Sequence, residues 1–288
     1  MSLAFYLNIV TSGLLTGLVY GLAALGLSLV FTVTRTVNFA HGGLMALGLS
    51  GAARHGMDPL LAMPVVAVGL FLGGFLCHRL LIGRIGEAPE HRRTLVMLGL
   101  ALILAALLMI LADAVPSSDA AGLPPHSGDG LAFGPLLFDR IELRAALMAG
   151  IVTALLVLFF NISRTGKAIR ACADSPFGAQ VIGLNLARLR AATFGLGAAI
   201  AGIAGCLLAQ GDSVRPGSAL DFLTLGLLVA LAGGLGSVEG ALLGGMVVGV
   251  ADALAGALLS PSVREFGGYG VVLLVLLARP HGLLGSNP

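Results

Sequence analysis

Residues 1–34 read MSLAFYLNIVTSGLLTGLVYGLAALGLSLVFTVT, and none of these residues is charged. Roughly 20 apolar residues in a helix are enough to cross the ~30 Å hydrocarbon core of a bilayer. The stretch is therefore long enough to span a membrane, and apolar runs recur up to the C-terminus. Of the 288 residues, 57% are hydrophobic and only 10% are charged, with a mean hydropathy of +1.01. These values predict a multi-pass α-helical membrane protein.

The whole chain divides into apolar segments separated by short polar connections. These segments predict an all-α, polytopic transmembrane helical bundle of about 8–9 membrane segments, some of them short or broken. No stretch is polar enough to form a soluble domain, so residues 1–288 are expected to form one membrane domain. The net charge of +2 is too small to indicate a nucleic-acid partner. The candidate segments are 5–33, 42–53, 59–77, 95–112, 145–162, 191–209, 222–233, 238–256 and 269–278.

Three loops indicate how the bundle is oriented. Loop 78–94 carries four arginines against two glutamates, and loop 163–190 carries five basic residues against one aspartate. Loop 113–144 is rich in proline and glycine and holds five acids and two arginines. Because basic loops stay in the cytoplasm, the first two loops are predicted to be cytoplasmic and loop 113–144 extracytoplasmic. The N-terminus is then external, and the first apolar run is expected to remain as a spanning helix, since no basic residue precedes it.

Two of the segments are too short to span a bilayer. Segments 42–53 and 222–233 would each cover only about 18 Å as helices. The first follows Asn38-Phe39-Ala40-His41-Gly42, and the second runs into Gly233-Gly234-Leu235-Gly236. Short, glycine-interrupted segments in the two halves of a transporter indicate a substrate site at the membrane midplane. Both breaks could equally be tight cytoplasmic hairpin turns, and the sequence leaves both interpretations open.

One carboxylate lies inside an apolar segment. Asp252 is about 18 Å along a helix from Gly240, so it lies beyond the midplane. A charge at this depth should face a partner or a cavity, and the sequence leaves open a structural pair, snorkelling to the external surface, or a role in the substrate pathway. No metal or cofactor is predicted, because His41 has no second histidine at ligand spacing and the three cysteines fit no ligand pattern.

Loop 163–190 is long for a connection between membrane helices and has helical character. Ile169, Cys172 and Ala173 recur at helical spacing and form one apolar stripe, with basic residues on the opposite face. A second short helix is expected after Pro176. Such a segment either lies on anionic lipid or docks into a partner protein.

The chain is not predicted to hydrolyse ATP itself. A Walker A loop requires G-x-x-x-x-G-K-[ST], in which the lysine binds the β- and γ-phosphates. Lys167 is the only lysine in the sequence, and Ala168 takes the position of the Ser or Thr. Asn161 takes the position of the first glycine. The chain is therefore not expected to be an enzyme.

Three motifs, in order and spread over nearly the full length, resemble those of branched-chain amino acid ABC transporter permeases of the LivH type. The first is GLVYGLAALGL at 17–27 followed by VNFAHG at 37–42. The second is GKAIRA at 166–171 with GLN at 183–185, which is similar to the loop of that family that faces the ATPase. The third is LAGGLGS at 231–237 followed by GALLGG at 240–245.

The resemblance implies a heteromeric importer in the bacterial plasma membrane. Its partners would be a second homologous permease, two cytoplasmic ATP-binding subunits and an extracytoplasmic substrate-binding protein. Loop 163–190 would dock the ATPase, and the coupling residues would be Gly166, Lys167, Arg170, Asp174 and Gly183. On this hypothesis the substrate pathway is lined by Asn38, Phe39, His41, Gly42, Gly233, Gly234, Gly236 and Asp252.

The sequence departs from the family pattern at two places. Gly43 stands where many members have glutamate, and Ser175-Pro176-Phe177 replaces an acidic stretch in the cytoplasmic loop. Because the family also moves urea and short amides, the substrate is left open between these and branched-chain amino acids. Two different transport mechanisms also stay open. One is an ion-coupled secondary transporter, for which Asp252 is the one candidate coupling carboxylate, and the second is a passive channel for a small neutral solute.

Overall fold

Helices form nearly all of the secondary structure in the computed structural model, which describes residues 3–54, 58–85, 89–113, 131–133, 136–208, 217–260 and 263–285. A π-helical turn, His78–Ile82, continues α3 into α4. The helices of the described residues are α1 Leu3–Thr34, α2 His41–Arg54, α3 Pro59–Cys77, α4 Gly83–Ile85, α5 Glu90–Asp113, α6 Arg140–Ile162, α7 Arg164–Asp174, α8 Pro176–Val181, α9 Leu186–Leu208, α10 Ser218–Gly233, α11 Val238–Leu258 and α12 Arg264–Ala278.

The multi-pass prediction is confirmed by helix length and composition. Among the described residues, six helices are long and apolar enough to cross a membrane. Two further apolar helices, Ser218–Gly233 and Phe266–Ala278, are shorter. The predicted count of eight to nine segments therefore stays a prediction. The six long spans are Ala4–Thr34, Leu60–Ile85, His91–Leu111, Arg140–Ile162, Leu186–Leu208 and Val238–Leu258.

The centre of the bundle is built on α1 and α9, which are mostly buried, whereas α3, α5 and α6 expose apolar side chains as lipid-facing helices do. Apolar side chains gain little by leaving lipid, so membrane helices associate where small residues let their backbones approach. The long contact between α1 and α11 has this form. A Cβ atom at Gly13 would lie 2.7 Å from the Val250 Cα atom, and one at Gly17 would lie 2.7 Å from the Gly245 carbonyl oxygen.

One short hairpin is the exception to the otherwise confirmed all-α prediction. Strands β1, Leu131–Phe133, and β2, Leu136–Phe138, pair antiparallel before α6 begins. Asp139 then caps α6 by accepting a hydrogen bond from the Ile141 backbone amide at 2.8 Å. Residues 114–130 and 134–135 of the predicted extracytoplasmic loop lie outside the described residues.

Candidate substrate pathway and coupling surface

The break between α1 and α2 turns back into the bundle. After α1 ends at Thr34, the chain returns so that the His41 Nε2 atom lies 2.9 Å from the carbonyl oxygen of Ala23. At 1.5 Å per residue, Ala23 lies about 16 Å back along α1 from Thr34. The first turn of α2 is therefore level with the middle of α1. Irregular backbone at such depth is tolerated where protein surrounds it, and Thr36, Asn38 and Ala40 are all buried.

Two polar side chains of this break are completely buried. Asn38 and His41 both have 0% exposure. The Asn38 side-chain oxygen accepts a hydrogen bond from the Ala40 amide at 3.1 Å. Neither the Asn38 Nδ2 atom nor the His41 Nδ1 atom has a hydrogen-bond partner among the described residues. An unsatisfied buried polar group costs about 1–3 kcal/mol, so a polar solute or water that reached these atoms would be stabilised there.

The neighbouring residues of the break are held by close packing. Phe39 packs against a small apolar cluster that includes Val30 and Phe194. Gly42 lies directly against the backbone of α10, where a Cβ atom would overlap the Ala219 carbonyl oxygen and lie 2.5 Å from the Leu223 nitrogen. The start of α2 is thus closed by α10 in this structure.

The second glycine-rich break forms a tight turn between α10 and α11. Gly234 and Gly236 have φ angles of +102° and +91°, which L side chains rarely adopt. The carbonyl oxygens of Ala232 and Gly233 accept hydrogen bonds from the amides of Leu283 and Leu284 at 2.9 and 3.0 Å. The C-terminal segment therefore covers the end of α10 at this turn.

Asp252 lies on α11 with only 5% of its surface exposed, and it borders two cavities. The first cavity, which we call the α10 cavity, has a volume of about 250 Å³ and is also lined by Asp221 and Thr224 of α10. The second, which we call the N-terminal cavity, has a volume of about 530 Å³ and is lined by the first turns of α1 together with Glu142 and Arg264. The Ser12 hydroxyl donates to a Glu142 carboxylate oxygen at 2.9 Å in that cavity.

The predicted pathway residues are arranged along α10 and do not meet in one cluster. The α10 cavity lies along Ser218–Leu228, in the first part of the helix. His41 approaches α10 at Gly226. A Cβ atom added to Gly226 would lie 3.5 Å from the Cδ2 atom of the His41 ring. Gly233 lies about 10 Å further along the helix axis. The His41 break therefore lies along the same stretch of α10 as the cavity that Asp252 borders from α11, and the glycine turn lies further along α10.

Sequence reasoning missed most of the α10 cavity lining. Asp221, in the first turn of α10, is the one charged residue of that helix, and this was an available signal. Tyr20 and Tyr269 are two of the three tyrosines in the chain, and both line the same cavity. The other lining residues are Leu208, Ser218, Leu220, Phe222, Thr224, Leu225, Leu228, Val248 and Gly268. Among the described residues no group of His, Cys, Asp or Glu side chains could hold a metal ion.

The predicted helix in loop 163–190 is confirmed as α7, and it is fixed to its neighbours. The Ser163 hydroxyl caps α7 by accepting a hydrogen bond from the Gly166 amide at 2.8 Å. Arg170 donates to the Phe160 carbonyl oxygen, and also to the Asn161 side-chain oxygen at 2.8 Å. Arg170 therefore fastens α7 to the end of α6.

The buried face of α7 matches the predicted apolar stripe. Gly166, Ile169, Cys172 and Ala173 are buried, whereas Lys167 and Asp174 are exposed. Gly166 lies against the Phe159–Phe160 backbone at the end of α6, where a side chain would overlap it. Burial raises the pKa of the Cys172 thiol above its ordinary value, and the nearby Arg190 guanidinium partly opposes that shift.

The second predicted helix is confirmed as α8, and it presents an apolar surface. Phe177, Val181 and Ile182 are 77%, 70% and 71% exposed. The helix ends at Val181, and Gly183 follows its C-cap residue Ile182 with a φ of +82°, which suits glycine. We call Phe177, Val181 and Ile182 the α8 patch. Sequence reasoning selected the charged residues of the loop as coupling residues and not this patch, although its apolar residues lie within six residues of Pro176.

Comparison with known proteins places this architecture among transport proteins. Residues 9–278 match the family model described as branched-chain amino acid transport system / permease component. The high-affinity branched-chain amino acid transport system permease protein BraD of Pseudomonas aeruginosa is 28% identical, with 97% of this chain and 96% of BraD covered.

Two permeases named LivH extend the comparison. The high-affinity branched-chain amino acid transport system permease protein LivH of Escherichia coli K12 is 30% identical, with 98% of this chain and 96% of LivH covered. A probable branched-chain amino acid transport permease protein LivH of Methanocaldococcus jannaschii is 29% identical, with 92% and 88% covered. No solved structure matches the chain.

Proposed function

Since this chain belongs to the branched-chain amino acid transport system permease family, we propose that it is the permease subunit of an ATP-driven ABC importer for branched-chain or related amino acids. The chain is a multi-pass membrane protein, and its site of action would be the bacterial plasma membrane. The observation that carries the proposal is the family match over residues 9–278, which takes in both the pathway helices and the coupling surface.

The proposed assembly contains this permease, a second homologous permease, two cytoplasmic ATP-binding subunits and an extracytoplasmic substrate-binding protein. The short helices α10 and α12 are proposed to complete eight membrane segments, with α2 as a half-length ninth. Loop 163–190 and the turn at Gly233–Gly236 would face the cytoplasm, and the cavities beside Asp252 would face outward. The positive-inside bias of the basic loops supports this orientation.

The proposed docking surface for the ATP-binding subunits is α7 together with the α8 patch. Three large apolar side chains exposed in a polar loop are typical of a protein interface. Lys167 and Asp174 are exposed beside them and would supply charged contacts at the rim. Gly183 follows the end of α8 and would set the direction in which the chain returns to α9.

Two arginines would transmit a movement of this docking surface to the membrane helices. Arg170 joins α7 to the end of α6, and Arg35 donates to the Ala173 carbonyl oxygen from the end of α1. The Asn38–His41 break begins three residues after Arg35. ATP binding to the partner subunits would shift α7 and α8 and tilt the helices attached to them.

The proposed gate is the contact between α2 and α10. Gly42 is packed against α10, and the unpartnered side-chain nitrogens of Asn38 and His41 lie buried next to it in the chain. Separation of α2 from α10 would expose these two nitrogens, together with Phe39, to a solute. The turn formed by Gly233, Gly234 and Gly236 would act as the hinge of α10, since two of its residues have positive φ angles.

The test is reconstitution of the complex that co-purifies with the tagged chain. Recovery of two ATP-binding proteins and a second permease, with leucine uptake that requires ATP and the binding protein, supports the proposal. Leucine uptake that continues without ATP favours a passive channel. Uptake abolished by an uncoupler at constant ATP favours an ion-coupled carrier. Urea uptake in place of leucine uptake would keep the importer and change its substrate.

A further inference from the structure

The α10 cavity has the size and chemistry of a site for a small solute. Its volume of about 250 Å³ lies just below the range of roughly 300–1,000 Å³ that is typical of small-molecule pockets. Five helices contribute to its lining, so its shape depends on how α10 and α12 pack against the rest of the bundle. Such a cavity, with a few convergent polar groups on an apolar lining, is the usual form of a ligand site.

The titratable side chains of this lining are mostly acidic. Asp221 and Asp252 are carboxylates, and none of the residues described as lining the cavity is basic. Asp252 is nine-tenths buried, so salt screens its charge much less than that of a surface carboxylate. A carboxylate at membrane depth is stabilised by a cation, so an ammonium group that entered the cavity would be favoured over an anion.

The rest of the lining suits an aliphatic molecule. Leu225, Leu228 and Val248 supply apolar surface of the kind that a short branched side chain would bury. The hydroxyl groups of Tyr20 and Ser218 are hydrogen-bond donors of the kind that a carboxylate requires.

We propose that the α10 cavity is a binding site for an aliphatic amino acid, in which Asp252 pairs with the α-ammonium group. Leu225, Leu228 and Val248 contact the side chain. This inference rests on the proposed function, which supplies the class of substrate. Asp252 also borders the N-terminal cavity, so the same carboxylate is reached from two sides. It is therefore placed to hold the ammonium group as the solute moves from one cavity to the other.

The experiment uses a cysteine reporter inside the cavity, in membranes that contain the full chain. Cys77, Cys172 and Cys206 are replaced by alanine, and T224C introduces a thiol of nearly the same size as the threonine side chain. Labelling rates are measured with a cationic aminoethyl and an anionic sulfonatoethyl methanethiosulfonate. The probes for protection are leucine, isoamylamine, which lacks the carboxylate, and isocaproate, which lacks the amine.

Leucine and isoamylamine are expected to slow the labelling of T224C, whereas isocaproate leaves it unchanged. Adding D252N is expected to remove this protection and to lower the cationic-to-anionic rate ratio by about tenfold, as loss of one nearby charge does. D252E is expected to restore both. Equal protection by isocaproate and leucine, or a ratio unaffected by D252N, would overturn the proposal.

Two controls separate binding from folding. T11C places the same substitution near the start of α1, where Thr11 lines neither cavity, and its labelling should respond to none of the probes. L228C is a second reporter in the cavity if T224C does not accumulate in membranes. A response of T11C equal to that of T224C would mean that the probes act on the membrane and would overturn the site.

The outcome is separable from that of the proposed function, because labelling requires neither ATP nor partner proteins. ATP-dependent leucine uptake without protection at T224C overturns this inference and leaves the importer in place. Protection at T224C without ATP-dependent uptake overturns the importer and leaves the binding site in place.

Discussion

Arg35 donates a hydrogen bond from its Nη2 atom to the carbonyl oxygen of Ala173 at 3.4 Å, which joins the end of α1 to the last turn of α7. Arg35 is also the one non-glycine residue with a positive φ, +52°, among those that the structure describes. A left-handed conformation costs an L-residue roughly 1–2 kcal/mol, so surrounding contacts must hold the residue in place. The Arg93 guanidinium donates to the adjacent Thr34 carbonyl oxygen at 3.0 Å and supplies one such contact.

Replacing Arg35 should weaken the connection between the coupling surface and the gate. R35A is expected to keep most of the ATP hydrolysis of the reconstituted complex while leucine uptake falls several-fold. The ratio of leucine transported to ATP hydrolysed is the measurement. R188A, which removes an exposed arginine at the start of α9, is the matched control and should leave the ratio unchanged. Equal ratios in R35A and R188A would contradict this role.

Arg170 and Asp174 were both predicted as coupling residues, and the structure gives them unequal contacts. The R170A/D174A double variant is expected to uncouple ATP hydrolysis from uptake. R170A alone should produce most of this effect, because Arg170 holds two acceptors at the end of α6, each hydrogen bond contributing about 0.5–1.5 kcal/mol. D174N should change the ratio little, since Asp174 is exposed. Unchanged coupling in the double variant would remove both residues from the mechanism.

The α8 patch should determine whether the ATP-binding subunits stay attached. Replacement of Phe177, Val181 and Ile182 by serine removes apolar area that the docked partner would bury, at about 25 cal/mol per Å². We expect the permease to reach the membrane in normal amounts but to lose its co-purifying ATP-binding subunits. L259S is the control, because Leu259 is 74% exposed at the opposite end of α11 from the glycine turn. Loss of the subunits in L259S as well would show that the effect is not specific to the patch.

Much of the architecture could be predicted because long apolar runs and loop charges are local signals. The uncharged run that became α1 has only one stable form in a bilayer, a helix that satisfies its own backbone groups. The break at Asn38–His41 was visible because amide, imidazole and glycine interrupt apolar sequence. The apolar stripe of α7 was visible because Ile169 and Cys172 recur at helical spacing.

The partner of each helix could not be predicted in the same way. The chain has 43 glycines, so small-residue contacts are available on almost every helix and do not identify which pair forms. Nothing in the sequence indicates that His41 meets Gly226 or that Asp252 shares a cavity with Asp221. These relationships depend on the packing of α10 against α2 and α11, which joins residues far apart in the chain.

Gly42 provides the sharpest test of the proposed gate, since its contact with α10 leaves no room for a side chain. A Cβ atom there would overlap the Ala219 carbonyl oxygen, so G42A must push α2 away from α10. Overpacking of this kind typically costs about 1–3 kcal/mol, and we expect a lower thermal midpoint and reduced uptake. G150A is the matched control, because a Cβ atom at Gly150 would meet nothing within 4 Å. If G42A proves as stable and as active as G150A, the contact between α2 and α10 does not close the pathway.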